Sequence, residues 1–135
     1  MTRSLPEGES LLVRTDFTDD AAWAQTLAAV VASYDEDTVT GLTPVDDAAF
    51  DNLPLAALPN LIADQSYLFL ADTTTMTDPD HPILAVDTAS DDLATFRIAP
   101  SAMAGVEVNL FLANMDFDDF ADNVDANGVY RGWDQ

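Results

Sequence analysis

The chain reads as an α+β domain. The expected fold is a single mostly antiparallel or mixed sheet of about five or six strands, one long N-terminal amphipathic helix and a short C-terminal acidic helix. Three observations predict this. Short apolar runs bounded by Asp, Thr, Pro or Gly recur along the chain, at Ser10–Arg14, 67–71, Ile83–Val86 and 95–99. Trp23, Leu27, Val30, Val31 and Tyr34 fall at i, i+4, i+7, i+8 and i+11, the spacing of one helical face. The stretch 115–122 (MDFDDFAD) carries the cap and staple chemistry of a helix start.

Taken in order, residues 1–9 hold Pro6 and Gly8 with little apolar content and are expected as a flexible arm, leaving 10–135 as a single α+β domain. Ser10–Arg14 is a short strand, with Phe17 as its furthest extension. Thr18 is the expected N-cap of the long helix, and Asp19 and Asp20 sit in its first turn, where the helix dipole favours anions. Residues 38–45 read as a second strand with Gly41 inside it. In 46–61, Pro54 and Pro59 limit any helix to short turns, which lay Phe50, Leu53, Leu55 and Leu58 over an edge of the core. The run 67–71 (YLFLA) is apolar throughout and fits a central strand. Residues 72–82 form a long, turn-rich loop. Ile83–Val86 and 95–99 pair as a hairpin through Asp91-Asp92. Residues 100–105 make a single helical turn. The segment 106–113 fits either period: Val106, Val108, Leu110 and Leu112 alternate as in a strand, whereas Met103, Val106, Leu110 and Ala113 match a helix. Its β-branched residues and the preceding Gly105 favour the strand. Asp116 then caps the acidic helix, Met115 and Phe120 form its staple, and Phe117, Phe120 and Val124 its apolar stripe. Asn127-Gly128 ends it.

Composition narrows the function. The chain has 135 residues, is 48% apolar and contains no cysteine, so it can build a core but has no disulfide or thiolate chemistry. No run of about 18 apolar residues suggests a membrane span. Glu7 and Glu9 interrupt what would be a signal peptide, and the expected location is cytoplasmic. The net charge is −21, with 21 Asp and 4 Glu against four Arg and no Lys. Such a field repels nucleic acid and anionic membranes and attracts cations and basic proteins. It also has a bland reading, a solubilising or compositionally biased surface, and a sharper one, a decoy imitating nucleic-acid phosphates.

The segments 11–23 (LLVRTDFTDDAAW), 81–87 (HPILAVD), 109–122 (NLFLANMDFDDFAD) and 128–133 (GVYRGW) together resemble a family of small acidic bacterial domains of unknown function, frequent in actinobacteria. The resemblance spans nearly the whole chain and implies a fold without an activity. A strand running into F-acidic-acidic-F is similar, over about twenty residues, to the end of immunity proteins of the SMI1/KNR4-like superfamily, a pattern that staple-and-cap chemistry also produces.

Few residues suggest catalysis. The lone His81 lies in a Pro/Asp loop, no G-x-S-x-G elbow marks a nucleophilic serine, and the scattered glycines form no phosphate loop. Asp16, Asp72 and Asp87 each follow an apolar run, as Mg²⁺-binding acids do at the carboxyl edge of parallel sheets, or as plain solvated strand ends. Asn123–Asp134 can be laid over a calcium loop, with Asp125 and Asn127 as candidate metal ligands and Gly128 at the sharp turn. Asn123 and Asp134 depart from that pattern, and a left-handed Asn-Gly turn explains the same residues. Arg14 and Arg97 are expected to pair with aspartates. Asp116, Asp118, Asp119 and Asp122, with Tyr130, Arg131 and Trp133, are the candidate partner-binding residues. Arg, Tyr and Trp are the residue types that dominate binding hot spots, although Tyr130 and Trp133 can equally pack back onto the sheet. The expected function is a small acidic, non-catalytic protein-binding module of immunity or regulatory type that docks a basic partner, with no cofactor. The alternatives are a divalent-cation-binding protein or metal-dependent enzyme, and a nucleic-acid-mimicking decoy.

Overall fold

A computed structural model describes residues 10–34, 42–60, 67–89, 92–112 and 115–132. Among the described residues six strands form one sheet: β1 (Ser10–Arg14), β2 (Leu42–Val45), β3 (Leu68–Ala71), β4 (Ile83–Val86), β5 (Thr95–Ile98) and β6 (Val129–Tyr130), in the order β2-β1-β3-β4-β5-β6. The helices are α1 (Asp20–Ala32), α2 (Thr73–Thr77), α3 (Met103–Phe111) and α4 (Phe117–Ala121). Among the described residues no helix is long and apolar enough to cross a membrane.

The α+β class and the mixed sheet hold, but the sheet is not mostly antiparallel. β1 pairs in parallel with both β2 and β3, and β5 with β6, while β4 alone runs against its two neighbours. The expected β4–β5 hairpin is present, and β3, β4 and β5 together form an antiparallel meander. What tips the sheet to parallel is the pair of crossovers β1-α1-β2 and β2-to-β3, which step in opposite directions across β1. A right-handed rule for both places them on opposite faces of the sheet. The packing agrees. Leu12, Phe69, Ala85, Phe96 and Ile98 lie under Trp23, Val30, Met103, Val106 and Phe120 on one face. Leu11, Val13, Leu68 and Leu70 lie under Phe50 and Leu58 on the other. Covering both faces is what a largely parallel sheet requires. The Pro-limited turns at Ala48–Phe50 and Leu55–Asn60 supply that second layer, as their sequence predicts.

The long N-terminal helix is not found. α1 has 13 residues, an ordinary length. It begins one residue later than expected, with Asp19 rather than Thr18 as N-cap: the Asp19 carboxylate accepts the Ala22 N–H at 3.0 Å. It ends at Ser33, whose hydroxyl donates to the Val30 carbonyl at 2.6 Å. Of the expected stripe, Trp23 and Val30 are buried and Leu27 and Tyr34 pack against the core, but Val31 does not join them. Ala22, Trp23, Thr26 and Val30 are buried, whereas Val31 is 66% exposed. Small Ala22 and Thr26 let the helix approach the sheet, and the Thr26 hydroxyl is satisfied by the Ala22 carbonyl at 2.8 Å. Val31→Gln should therefore change stability by less than about 0.5 kcal/mol, whereas Val30→Ala should cost about 1–2 kcal/mol. Urea denaturation of the two variants checks this.

Three further expectations are corrected. The strand read at 106–113 is helical, since α3 occupies Met103–Phe111 with Met103 and Val106 buried and Leu112 57% exposed. Pro100 opens its leading turn, where a missing N–H costs nothing. The hydroxyl of Ser33, from α1, accepts the Ala104 N–H at 3.1 Å, a cap supplied from another helix. The helix also carries Glu107 into the interior, where its carboxylate accepts hydrogen bonds from the hydroxyls of Ser10 and Tyr34, both at 3.0 Å. Next, the loop at 72–82 contains α2, nucleated by a reciprocal box: Asp72 accepts the Thr75 N–H at 3.1 Å, and the Thr75 hydroxyl accepts the Asp72 N–H at 3.2 Å. Finally, α4 stops at Ala121, before Asn127-Gly128. Those two residues instead form a separate turn, Gly128 at φ 80°, that delivers β6 to the sheet beside β5. The second strand starts at Leu42, and the rest of its expected span (38–41), like the arm at 1–9, lies outside the described residues.

Candidate functional site

Because β1, β2, β3, β5 and β6 run the same way, their carboxyl ends share one edge of the sheet, and three arginines organise it. Arg14, 3% exposed, donates to the Asp16 carbonyl at 2.9 Å and meets Asp20 at 2.7 Å and Asp46 at 3.4 Å. Its guanidinium lies over the rings of Phe17 and Trp23, at 4.4 and 5.5 Å from their centroids. Arg97 crosses from β5 to grip both oxygens of Asp72, each at 2.8 Å. Arg131 donates to Asp125 at 2.7 Å and lies 3.8 Å from Asp80. Arg14 and Arg97 thus pair with aspartates as expected.

These contacts set the ionisation of the acids. Burial pushes the Asp72 carboxyl up, but the hydrogen bonds and charge of Arg97, with the Thr75 N–H and hydroxyl, outweigh it and hold the group below its ordinary 3.8. The Thr18 hydroxyl and N–H, at 2.6 and 2.9 Å, keep Asp16 below its ordinary value. Arg131 and then the Val129 N–H do the same for Asp125.

The metal candidates sit in this scaffold. Asp125 accepts from the N–H groups of Asn127 and Val129, at 2.8 and 3.0 Å, as well as from Arg131, so its carboxylate shapes the turn into β6. Asn127 is exposed and lines a small cleft of about 180 Å³ with Thr74, Asp78, Asp80, Arg97 and Arg131. Asp16 and Asp72 share the carboxyl edge, but Asp87 follows the reversed strand β4 and lies at the opposite end. Among the described residues no group of three or more His, Asp or Glu side chains is placed to hold a metal ion. His81, in a left-handed conformation at φ 49°, donates from Nδ1 to the Thr75 carbonyl at 2.9 Å.

The partner-binding candidates separate into surface and core. Asp116, Asp118, Asp119 and Asp122 are all exposed, on and beside α4. The Asp119 carboxylate accepts the Asp116 N–H at 2.8 Å, so part of the cluster caps its own helix. Beneath them Phe117 and Phe120 are buried, with Phe120 edge-on to Tyr130 at 5.2 Å. Tyr130 is 3% exposed and belongs to the core, so the tail does not present it to solvent. Arg131 is half-buried, and Trp133 lies outside the described residues.

A larger cleft, of about 400 Å³, opens at the other edge of the sheet between the end of α3 and the start of α4. It is lined by the buried or partly buried Tyr67, Leu110, Met115 and Phe117 together with the half-buried Asp87 and the exposed Asp116 and Asp118. Asp87 arrives there because Leu68 pairs with Val86, which sets the residue after β4 beside the residue before β3. No local pattern in the sequence signals this meeting. It requires the register of two strands and the position of a helix some thirty residues further on.

The profile of a family described as "Domain of unknown function (DUF6924)" matches residues 9–133, and the chain belongs to that family. No curated protein matches the chain.

Proposed function

We propose that this member of the DUF6924 family is a non-catalytic binding module that docks a basic protein partner through the acidic surface of α4 and its flanks. The observation that carries the reading is the division of charge. The three arginines at the carboxyl edge are each committed to aspartates, whereas Asp116, Asp118, Asp119 and Asp122 face solvent on a helix anchored from below by Phe117 and Phe120. A fixed acidic face on a rigid support raises the encounter rate with a cationic surface and sets its orientation. An immunity-like or regulatory role is consistent with such a device, as is a cytoplasmic setting.

Two other readings have less support. A cation site at Asp125 and Asn127 would need Asp125 to leave the three donors it already serves. A nucleic-acid mimic needs its charges along one face, whereas these acids occupy both ends of the strands, with Asp46 and Asp72 at one and Asp87 and Asp118 at the other.

The test is capture from a lysate of the native host at physiological salt. Wild-type chain is compared with a variant carrying Asn at positions 116, 118, 119 and 122. A basic protein retained by the wild type and lost from the variant is the expected result. Retention of no basic protein, or equal retention by both forms, overturns the proposal.

A further inference from the structure

The geometry points to the α3–α4 cleft as a socket for a single lysine or arginine side chain of the docked partner, an inference that rests on the docking reading above. The cleft combines two chemistries that a cationic side chain also combines. The carbon surfaces of Leu110, Met115, Phe117 and Tyr67, buried or partly buried, suit an aliphatic stem, and the carboxylates of Asp87, Asp116 and Asp118 suit the charged end. A volume of about 400 Å³ admits one such side chain with some of its water.

The cleft is set up for a cation rather than an anion. Three carboxylates, those of Asp87, Asp116 and Asp118, line the cleft, and among the described residues no basic side chain lines it. Asp87 is half-buried and held in place, accepting the Ala89 N–H at 3.1 Å. Asp118 is exposed, and its carboxylate makes no hydrogen bond or ion pair among the described residues. A cation in the cleft is attracted by both Asp87 and Asp118, which line it together. Diffuse attraction to the acidic surface depends on charge alone, whereas this socket also depends on stem length.

The experiment titrates ¹⁵N-labelled protein at low salt with three blocked pentapeptides, alanine except at the centre. The titration is run at about pH 5, and the central residue is lysine, 2,3-diaminopropionic acid (short stem, its amine charged at this pH) or norleucine (similar stem, no charge). Lysine should shift the amides of Ala89, Leu110 and Phe117 and bind at least about threefold more tightly than either analogue. Asp118→Asn should weaken lysine binding about threefold to fivefold, while Asp51→Asn, exposed at the other edge, should leave it unchanged. Equal binding of lysine and diaminopropionate, or equal losses in the two variants, would remove the socket but leave basic docking intact. Absence of lysine binding also removes the socket. The lysate comparison then judges docking independently.

Discussion

Phe120→Ala should destabilise the domain by about 3–5 kcal/mol, the range for emptying a large aromatic site in a packed core. Phe120 is almost fully buried and ties its own helix, α4, to two strands: it stacks with Phe96 of β5 at 6.3 Å and meets Tyr130 of β6 edge-on at 5.2 Å. A two-residue strand and a five-residue helix have little stability of their own, so both depend on this contact. Chemical denaturation should show a lower midpoint. Hydrogen exchange at Val129 and Tyr130 should accelerate more than at β1. A loss under about 1 kcal/mol would mean that α4 is held by something else.

Arg97→Ala should cost about 2–3 kcal/mol at neutral pH, because it leaves the partly buried Asp72 carboxylate without its two-pronged partner. The figure is below that for a fully buried pair because both side chains retain about a quarter of their exposure, 22% and 26%. The pH signature is more specific. Asp72 has its folded pKa below the ordinary 3.8, so the unfolded chain binds the proton more readily. The stability it contributes is complete above 3.8 and is lost as pH falls through the folded value. In Arg97→Ala, burial is no longer opposed by a cation, and protonation relieves the variant instead of harming it. The gap between wild type and variant should therefore narrow as pH drops below 3.8, measured by denaturation at several pH values. Arg97→Lys should restore only part of the loss, since an ammonium cannot hold both oxygens in the same geometry.

The sequence made most of the short elements legible, and the reasons differ from case to case. β3 and β4 are continuous apolar runs, β1 holds one between Ser10 and Arg14, and β5 alternates Thr95 and Arg97 with Phe96 and Ile98, patterns with few competing interpretations. The cap and staple of α4 were readable because all their partners lie within six residues. The errors arose where distant residues decide. Residues 106–113 satisfy two periods, and the choice is made by the Ser33 cap, by the site that admits Glu107 and by β6 taking the place beside β5. Val31 and Ala22 are distinguished only by which side of α1 the sheet approaches. α2 is different: its Asp72–Thr75 box is local, yet three consecutive threonines are weak helix formers and the segment reads as a turn-rich loop. For the candidate site, the acids on α4 were legible as surface because they alternate with staple residues. Tyr130 was ambiguous until the strand that buries it was known.

The two borders of the sheet are also informative. β2 carries Pro44, which has no N–H to offer a newcomer, and β6 is only two residues long. Among the described residues neither flank presents the continuous ladder on which another polypeptide could extend the sheet. Crowded solutions of the folded chain should therefore stay free of fibrillar growth by edge recruitment, and any such growth must wait for the sheet itself to open.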